Sequence, residues 1–600
     1  MRDGDGYVPI EDYALIGDGR TAALVARDGS IDWLCLPNFD SPSVFASVLD
    51  AARGGSFELR PTIPFTAARR YLPNTNVLET TFTTGRGSVR VVDAMALPNG
   101  HLGPTREIVR RVEGLDDISA PVPMMWAVAP RFRYGTAAPR WEWRGRVPVA
   151  TCDAEALAVS AWDAGEPEWR DGRVAAAFEL SRRATSTMVL GSAHADPLVL
   201  PGRAAAERRL TDTIAFWEQW TATRGYGGAW AAHVLRSALV LKALIFAPSG
   251  ASVAAPTCSL PEEIGGERNW DYRFCWIRDS NFAIAALLNL GCYDEAQSLF
   301  WWFMHATALT EPELHVLYRL DGGVGGDERT IPLPGYRNSK PVRIGNGALE
   351  QTQHDIYGCL FETARLYSDG HRPVDDDIGR ILARIADHVC RIWREPDSGI
   401  WEVRNGPFHF THSKAMCGVA LDCALELASR HELPADRVSR WKKEADAIRH
   451  YVETECWSDR LRSYRRIAGD DDVDASLLML PILGFTDPRG ERARGTIDAV
   501  MQRLRDGDFV YRYRAADGVR GREGCFLNCS FWLVGALARA GRVDEAAELM
   551  ERLIRRANDV GLYAEEVDPS SGAFLGNFPQ ALVHLALIDA AIAIGRAEQA

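Results

Sequence analysis

The chain has 600 residues, of which 46% are hydrophobic and 25% are charged, a composition typical of a globular protein with a large core. It carries 68 lysines and arginines against 81 aspartates and glutamates, so its formal net charge is −13. An acidic chain of this kind is not expected to bind nucleic acid or an anionic membrane surface. We expect it to act on an uncharged small molecule.

Several common sequence signals are missing. No stretch approaches 18 consecutive apolar residues and no apolar core follows the charged N-terminus, so we predict no membrane segment and no signal peptide. The 12 cysteines include no C-x-x-C pair, which predicts reduced thiols and a cytoplasmic location. Because metal-ligand spacings, a phosphate-binding loop and a dinucleotide fingerprint are also absent, we expect no metal and no cofactor. Whether the chain forms a homo-oligomer is left open.

The first two hundred residues alternate with a period near two, which predicts β-strands. Two hairpins are indicated around glycine turns, over residues 21–36 and 77–95. Further short runs follow at 107–112, 124–128, 174–180 and 187–190. Short strands with Gly and Asp turns predict an antiparallel β-sandwich domain over residues 1–203, and a linker helix is predicted within 204–228.

After residue 228 the apolar period changes to about 3.6, which predicts helices. Twelve are predicted, near 229–247, 279–290, 293–307, 346–368, 377–394, 413–431, 437–454, 473–484, 490–505, 525–540, 543–557 and 578–594. Short and long connections alternate between them, so consecutive antiparallel helices place every long loop at one end. Six such hairpins predict an (α/α)6 barrel over residues 229–600 with one elaborated face.

The long loops carry the residue types that bind and cleave sugars. Carboxylates, arginines and tryptophans converge on this face; the candidates are Trp276, Arg278, Asp279, Glu328, Arg343, Trp401, Glu402, Arg512, Glu565 and Glu566. Paired carboxylates suit cleavage of a glycosidic bond, because one donates a proton to the leaving oxygen and the other activates water. An apolar neighbour such as Trp401 raises the pKa of an adjacent acid.

At these motifs the chain resembles glycoside hydrolase family 15, the glucoamylase and bacterial trehalase-like group. The resemblance rests on segments 10–18 and 32–45, which look like the family's trehalase-like N-terminal domain, and on the barrel segments 269–279, 335–353, 399–402, 523–532 and 561–580. It implies exo-acting, inverting hydrolysis of a terminal α-glucosidic bond with release of β-D-glucose.

The resemblance also implies roles for single residues. Glu402 stands where the family has its general acid and Glu565 where it has its general base. Arg278 and Asp279 match the pair that grips the terminal glucose, and Arg512 matches a further arginine that contacts the sugar. Trp401 and Glu566 resemble the neighbours of the two catalytic groups in the substrate pocket.

Three positions depart from the family pattern. Gly418 and Cys423 stand where the family usually has Trp and Arg, and Cys359 where it usually has Glu. Because none of the three is a catalytic carboxylate, we expect the reaction to persist. We expect the changes at Gly418 and Cys423 to reshape the sugar pocket.

Several functions fit these residues. The leading hypothesis is hydrolysis of α,α-trehalose, with α-1,4 and α-1,6 glucosides as alternative substrates. An α-glucoside phosphorylase is a second class, although it needs no base and Glu565 supplies one. A non-catalytic carbohydrate-binding protein is a third. Segment 39–45 of the β domain is interpreted as a plain connection that does not reach the active site.

Overall fold

A computed structural model describes residues 2–97, 106–370 and 373–599. The N-terminal part is built from two antiparallel sheets. Its strands are β1 Tyr13–Gly17, β2 Ala22–Ala26, β3 Ile31–Cys35, β4 Ser43–Ala46, β5 Ser56–Pro61, β6 Phe65–Tyr71, β7 Leu78–Thr84, β8 Gly87–Met95, β9 Glu107–Gly114, β10 Val122–Ala129, β11 Arg140–Arg144, β12 Val147–Cys152, β13 Glu155–Trp162, β14 Glu168–Arg170, β15 Arg173–Leu180 and β16 Thr185–His194. This is the predicted β-sandwich.

The observed strand order can be compared with the strands that the sequence predicts. One sheet runs β1-β2-β3-β5-β10-β15-β14 with β4 beside β3, and the other β11-β12-β13-β16-β9-β8-β7-β6. Both predicted hairpins, β2–β3 and β7–β8, are confirmed. Eight strands were not predicted. The edge strands β6, β11 and β14 are largely exposed and show no clear apolar alternation. The other five, β1, β4, β5, β12 and β13, are more buried and were also missed.

A buried ion pair joins the two sheets. Asp93 on β8 faces Arg110 on β9, and the guanidinium binds both carboxylate oxygens at 2.8 and 3.1 Å. The same guanidinium crosses the sandwich and donates to the carbonyls of Phe57, at 3.0 Å, and Gly29, at 2.7 Å. Because neither charge reaches solvent, each depends on the other for its stabilisation.

We expect Arg110→Met to destabilise the fold strongly, because Asp93 would remain buried without its cation. The expected loss is about 3–5 kcal/mol in the free energy of unfolding, measured by urea denaturation. Arg111→Met is the control, since Arg111 is exposed on the same strand, and it should change stability by less than about 0.5 kcal/mol. Equal effects of the two substitutions would contradict this assignment.

The rest of the chain is helical. The helices are α1 Arg203–Ala222, α2 Ala231–Leu244, α3 Ile277–Asn289, α4 Tyr293–Ala308, α5 Asp355–Asp369, α6 Asp376–Ile392, α7 Thr411–Ser429, α8 Val438–Glu455, α9 Met479–Ile482, α10 Glu491–Leu504, α11 Leu527–Arg539, α12 Val543–Ile554 and α13 Ala581–Gln599. The predicted linker helix corresponds to α1, which packs on β8, β9 and β16. Among the described residues, no helix has both the length and the apolarity needed to cross a bilayer.

Helices α2–α13 form the predicted (α/α)6 barrel. Each of α3, α5, α7, α9, α11 and α13 contacts the next, and α13 contacts α3, so these six close an inner ring. The intervening helices pack outside it. Every inner helix follows a long loop, and therefore all six inner N-termini open towards the same end of the barrel.

Two helix predictions need correction. The helix expected from residue 346 begins at Asp355, because Asn346 accepts a hydrogen bond from the Ala348 N–H and starts only a short 3₁₀ turn over Gly347–Glu350. The helix expected over 473–484 is a 3₁₀ turn at Ala475–Leu478 followed by the single turn α9. Its apolar run shows that it is buried, but not how long the helix is.

The long loops are stiffened by short antiparallel strands. The pairs are 245–246 with 251–252, 258–261 with 269–271, 275–276 with 317–318, 329–331 with 342–344, 457–458 with 463–464, and 505–506 with 509–510. A three-stranded set, 525–526, 566–567 and 574–575, joins the last two loops. The loops are therefore held as a fixed surface over the barrel mouth.

Candidate active site

A pocket with about 800 Å³ of empty space, part of it open to solvent, lies at the end of the barrel where the long loops meet. Most of its wall is polar or aromatic, as a sugar site requires. Its residues are Ala254, Glu262, Arg268, Trp270, Tyr272, Trp276, Arg278, Asp279, Asn346, Ala348, Gln351, Ile400, Trp401, Glu402, Arg404, Arg512, Tyr513, Asp517, Val519, Phe526, Trp532, Gln580 and Leu582. Six of the ten predicted site residues belong to this wall.

Glu402 lies in the loop between α6 and α7 and faces the pocket. Its backbone has a φ of +59°, a left-handed conformation that is uncommon and strained for a residue with a side chain. Trp276 donates from its indole N–H to Glu402 Oε1 at 2.9 Å, and Gln351 Nε2 donates to the Glu402 carbonyl at 3.1 Å. One carboxylate oxygen is thus fixed and Oε2 is left for other partners.

Glu565 lies in the loop before α13 and is fully buried. Its Oε1 accepts from the Tyr272 hydroxyl at 2.5 Å and its Oε2 from the Asn577 N–H at 3.1 Å. Burial raises the pKa of Glu565, while Arg512 and these two donors act in the opposite direction. Gly576 makes room for it, since a Cβ there would lie 2.4 Å from Oε2.

Tyr272 and Trp276 bring the two carboxylates into one unit. Both rings come from the loop before α3, and they meet edge to face with centroids 5.4 Å apart. Because Tyr272 binds Glu565 and Trp276 binds Glu402, this one pair sets the positions of carboxylates that are 163 residues apart in the sequence.

Arg278 and Asp279 stand on the first turn of α3. Arg278 Nε donates to Asp279 Oδ1 at 3.0 Å, and Arg278 Nη1 donates to the Ile400 carbonyl at 3.0 Å. Burial raises the pKa of Asp279, against the effect of its arginine. Trp401 donates its indole N–H to Asp474 at 2.8 Å and packs against Trp532 with a centroid distance of 5.9 Å, so its ring forms a fixed wall.

A buried acidic cluster surrounds Arg512. Its guanidinium binds Glu262 at 3.0 Å, Glu523 at 3.0 Å and Glu566 Oε1 at 3.2 Å, and Gly524 N–H donates to Glu566 Oε2 at 2.9 Å. The cluster contains five carboxylates, Glu262, Asp517, Glu523, Glu565 and Glu566, but only two arginines, Arg268 and Arg512. Burial is the largest cause that raises the pKa values of Glu262, Glu565 and Glu566, and neighbouring carboxylates act in the same direction.

Arg343 and Glu328 support the pocket from behind. The guanidinium groups of Arg343 and Arg404 lie 4.6 and 4.5 Å from the Trp270 ring centroid. Glu328 forms an ion pair with each of them, at 3.2 and 3.3 Å. Arg343 and Glu328 are not among the described residues that line the pocket, whereas the Trp270 ring that they hold is. Their contact with substrate stays a prediction.

The three departures from the family pattern lie away from the pocket. A Cβ at Gly418 would meet Phe485 and Ile448 at 2.9 and 3.3 Å, in the layer between α7 and the outer helices. Cys359 and Cys423 are buried, and none of the three is among the described residues that line the pocket. Gly418 faces Phe485 and Ile448, and Cys423 lies beside Glu362 and Arg365 on α5, so neither forms part of the pocket wall. The expected reshaping of the pocket stays a prediction.

Sequence reasoning missed four residues that the structure makes central. Tyr272 and Trp270 belong to an aromatic-rich loop that was noticed but not resolved into single roles, and Asn577 follows a glycine close to Glu565. Glu262 carried a weaker signal, namely two adjacent glutamates before Gly265-Gly266. Their partners are distant in sequence, and so their roles appear only in three dimensions.

A closed (α/α)6 barrel with paired carboxylates, arginines and aromatic rings at its mouth defines a carbohydrate-active enzyme. Comparisons with known proteins agree. Residues 228–592 match the family "Glycosyl hydrolases family 15", and residues 2–150 match "Trehalase-like, N-terminal". The chain therefore belongs to glycoside hydrolase family 15, and it is a glycoside hydrolase.

Similar proteins match along nearly the whole chain. A trehalase of Mycobacterium tuberculosis is 38% identical, with 99% of this chain and 90% of that protein aligned. A trehalase of Thermoplasma volcanium is 36% identical over 97% and 93%. Among solved structures, a bacterial glucoamylase complexed with acarbose superposes with a TM-score of 0.72 at 14% identity, covering 100% of this chain and 95% of that one. This last likeness establishes the fold.

The buried Glu262 gives a prediction about pH. Burial is the largest cause that raises its pKa from 4.5 to about 8, so between these values the folded state holds a proton that the unfolded state releases. Stability should therefore fall as pH rises from 4.5 to 8, by at most about 1.4 kcal/mol per pH unit. Glu262→Gln, which stays neutral, should flatten this fall when unfolding is measured by urea at several pH values. Glu263→Gln, a partly exposed neighbour, should keep the wild-type slope.

Proposed function

We propose that this enzyme hydrolyses α,α-trehalose to glucose with inversion at the cleaved anomeric carbon. The observation that carries the mechanism is the pair of carboxylates held by one aromatic pair, Glu402 by Trp276 and Glu565 by Tyr272. The substrate is supported by relatives named trehalase that match over at least 97% of this chain.

In the proposed reaction Glu402 is the general acid. Its Oε1 already accepts the Trp276 N–H, so the proton is carried by Oε2. That proton passes to the glycosidic oxygen as the bond between this oxygen and the anomeric carbon breaks. The leaving glucose departs with an intact hydroxyl, and Glu402 becomes a carboxylate.

Glu565 is the proposed general base. A carboxylate has about four lone-pair positions, and the Tyr272 and Asn577 donors occupy two of them. A remaining position takes a proton from water while the water oxygen attacks the anomeric carbon on the face opposite the leaving group. Attack from that face converts an α-linkage into β-D-glucose, and Glu565 ends protonated. Solvent exchange restores both groups.

Fixed hydrogen-bonding groups would hold the sugar. Arg278, Asp279 and the Ile400 carbonyl form a connected set of donors and acceptors on one wall, suited to the hydroxyls of the terminal glucose. Arg512 stands on another wall with Glu566 behind it. The Trp401 ring supplies an apolar face for the sugar.

We also propose a cytoplasmic location. Its support is the cysteine chemistry: 11 of the 12 thiols are buried and all 12 are free. Burial raises the pKa of Cys359 and of Cys529 well above the usual value, which keeps them protonated and inert in a reducing compartment.

We expect Glu402→Gln and Glu565→Gln each to lower kcat by about 10²–10⁴-fold, because each loses a proton transfer while the shape of the pocket is kept. Turnover is measured by glucose release from trehalose, and binding by calorimetry, where the Kd should stay near the wild-type value. Glu395→Gln, an exposed glutamate in the same inter-helix loop as Glu402, is the control and should be fully active. Near-normal turnover of either site variant would remove that residue's proposed role.

The stereochemistry and the substrate can be tested together by proton NMR. Trehalose, maltose and isomaltose are each mixed with the enzyme, and the anomeric signals are followed from the first minutes. We expect trehalose to give equal amounts of α- and β-glucose at first, because attack inverts the cleaved carbon to β while the leaving glucose keeps its α configuration. Maltose and isomaltose, if cleaved, should give an early excess of β-glucose. Trehalose should react fastest, without any need for added phosphate. Early release of α-glucose alone from trehalose would mean retention and would contradict Glu565 as a water-activating base. Faster cleavage of maltose would replace trehalose by an α-1,4 glucoside.

A further inference from the structure

The N-terminal β-sandwich contacts the loop that carries Tyr272 and Trp276. Arg273 lies between these two residues in the sequence and is 2% exposed. Its guanidinium donates to the Ser41 carbonyl at 2.8 Å and the Phe39 carbonyl at 3.4 Å, both in the loop between β3 and β4. The same group binds Asp271 through two nitrogens, at 2.8 and 2.6 Å. One side chain thus fixes the aromatic loop to the β domain.

A second connection starts from Trp33 on β3. This indole is fully buried and donates to the Pro256 carbonyl at 2.7 Å. The next residue, Thr257, donates from its hydroxyl to Asn577 Oδ1 at 2.9 Å. Asn577 N–H in turn donates to Glu565 Oε2 at 3.1 Å. Three hydrogen bonds therefore lead from the β domain to the carboxylate of Glu565.

The two connections meet in the backbone. Ala255 N–H donates to the Tyr272 carbonyl at 3.0 Å, and Ala254 N–H donates to the Phe274 carbonyl at 3.1 Å. The segment held by Trp33 is therefore bonded along the segment held by Arg273. A shift of either one moves Tyr272, and with it the donor to Glu565.

We propose that the β-sandwich helps to position the active-site carboxylates, with Trp33 and Arg273 as positioning residues. They act through Asn577, Tyr272 and Trp276. The inference rests on the proposed roles of Glu402 and Glu565. It corrects the interpretation of segment 39–45 as a plain connection: the segment stays outside the pocket, yet it holds the loop that orients both carboxylates.

The direction of the effect on pH can be stated. The Asn577 N–H and the Tyr272 hydroxyl both lower the pKa of Glu565. If Trp33 no longer holds the 256–257 segment, these bonds lengthen and the pKa of Glu565 rises. A base with a higher pKa loses its ionised form sooner as pH falls, so the acidic limb of kcat/KM moves to higher pH.

Trp33→Phe tests this with a matched control. Trp126 is also fully buried in the β domain and donates its indole N–H to a carbonyl, that of Ala164, at 2.8 Å, but this partner lies within the domain. We expect Trp33→Phe to lower kcat at least tenfold and to move the acidic limb upwards. Trp126→Phe should lose comparable thermal stability while keeping the wild-type kcat and pH profile.

Arg273→Lys tests the other connection, because lysine keeps the charge but cannot bind Asp271 and two carbonyls at once. It should lower kcat more than it raises KM. Arg110→Lys, at the buried arginine that joins the two sheets, is its control. If Trp33→Phe does not fold, Thr257→Val interrupts the same path from the barrel side.

Folded variants at Trp33 and Arg273 with wild-type kcat and pH profile would overturn the inference, as would activity that falls only in proportion to the folded fraction. This result is distinct from failure of the proposed function. If the proposed function itself failed, Glu402→Gln and Glu565→Gln would remain active. If only the inference failed, those two variants would be inactive.

Discussion

The direction of the helices is the constraint on which the site depends. Consecutive helices run antiparallel, so a chain that alternates outer and inner helices must send every inner N-terminus to the same end. All six long loops are therefore gathered over one mouth, and residues from five of them line one pocket. The N–H groups that an inner helix leaves unpaired at its first turn also point there and favour carboxylates and hydroxyl oxygens. Asp279, on the first turn of α3, uses this position.

Within that mouth, the carboxyl groups differ in burial and in hydrogen-bonding partners. Glu402 is partly open to the pocket and is oriented by a single indole. Glu565 is enclosed and receives two donors, which oppose the rise in pKa that burial causes. Glu262 and Glu566 are also enclosed, but they share Arg512 with Glu523. Chemically identical groups thus differ in burial and in hydrogen-bonding partners.

Much of this could be read from the sequence, since periodicity is a local property. The change of period near residue 228 separated sheet from helices, and alternating loop lengths predicted the barrel before any contact was known. The family motifs singled out Glu402, Glu565, Arg278 and Asp279, of which Glu402, Arg278 and Asp279 line the pocket. Pairings between distant residues were not readable: the Trp33 bond to Pro256 spans 223 positions and the Tyr272 bond to Glu565 spans 293. The direction in which Gly418 faces was also not readable, because its position in a motif does not show which side of the helix it occupies.

The small sheet that joins the last two loops has a consequence for how this enzyme can vary. Glu566 pairs with Phe526 on one side and Leu575 on the other, and successive residues of a strand face opposite ways. Glu565 therefore turns towards Tyr272 while Glu566 turns towards Arg512. A slip of one residue in this pairing would exchange the two carboxylates, since register fixes which side each one faces. Length can change without harm in the exposed turn at 568–573, which lies between the paired strands. Changes in length are therefore expected to be tolerated in that turn and not in the paired strands on either side of it.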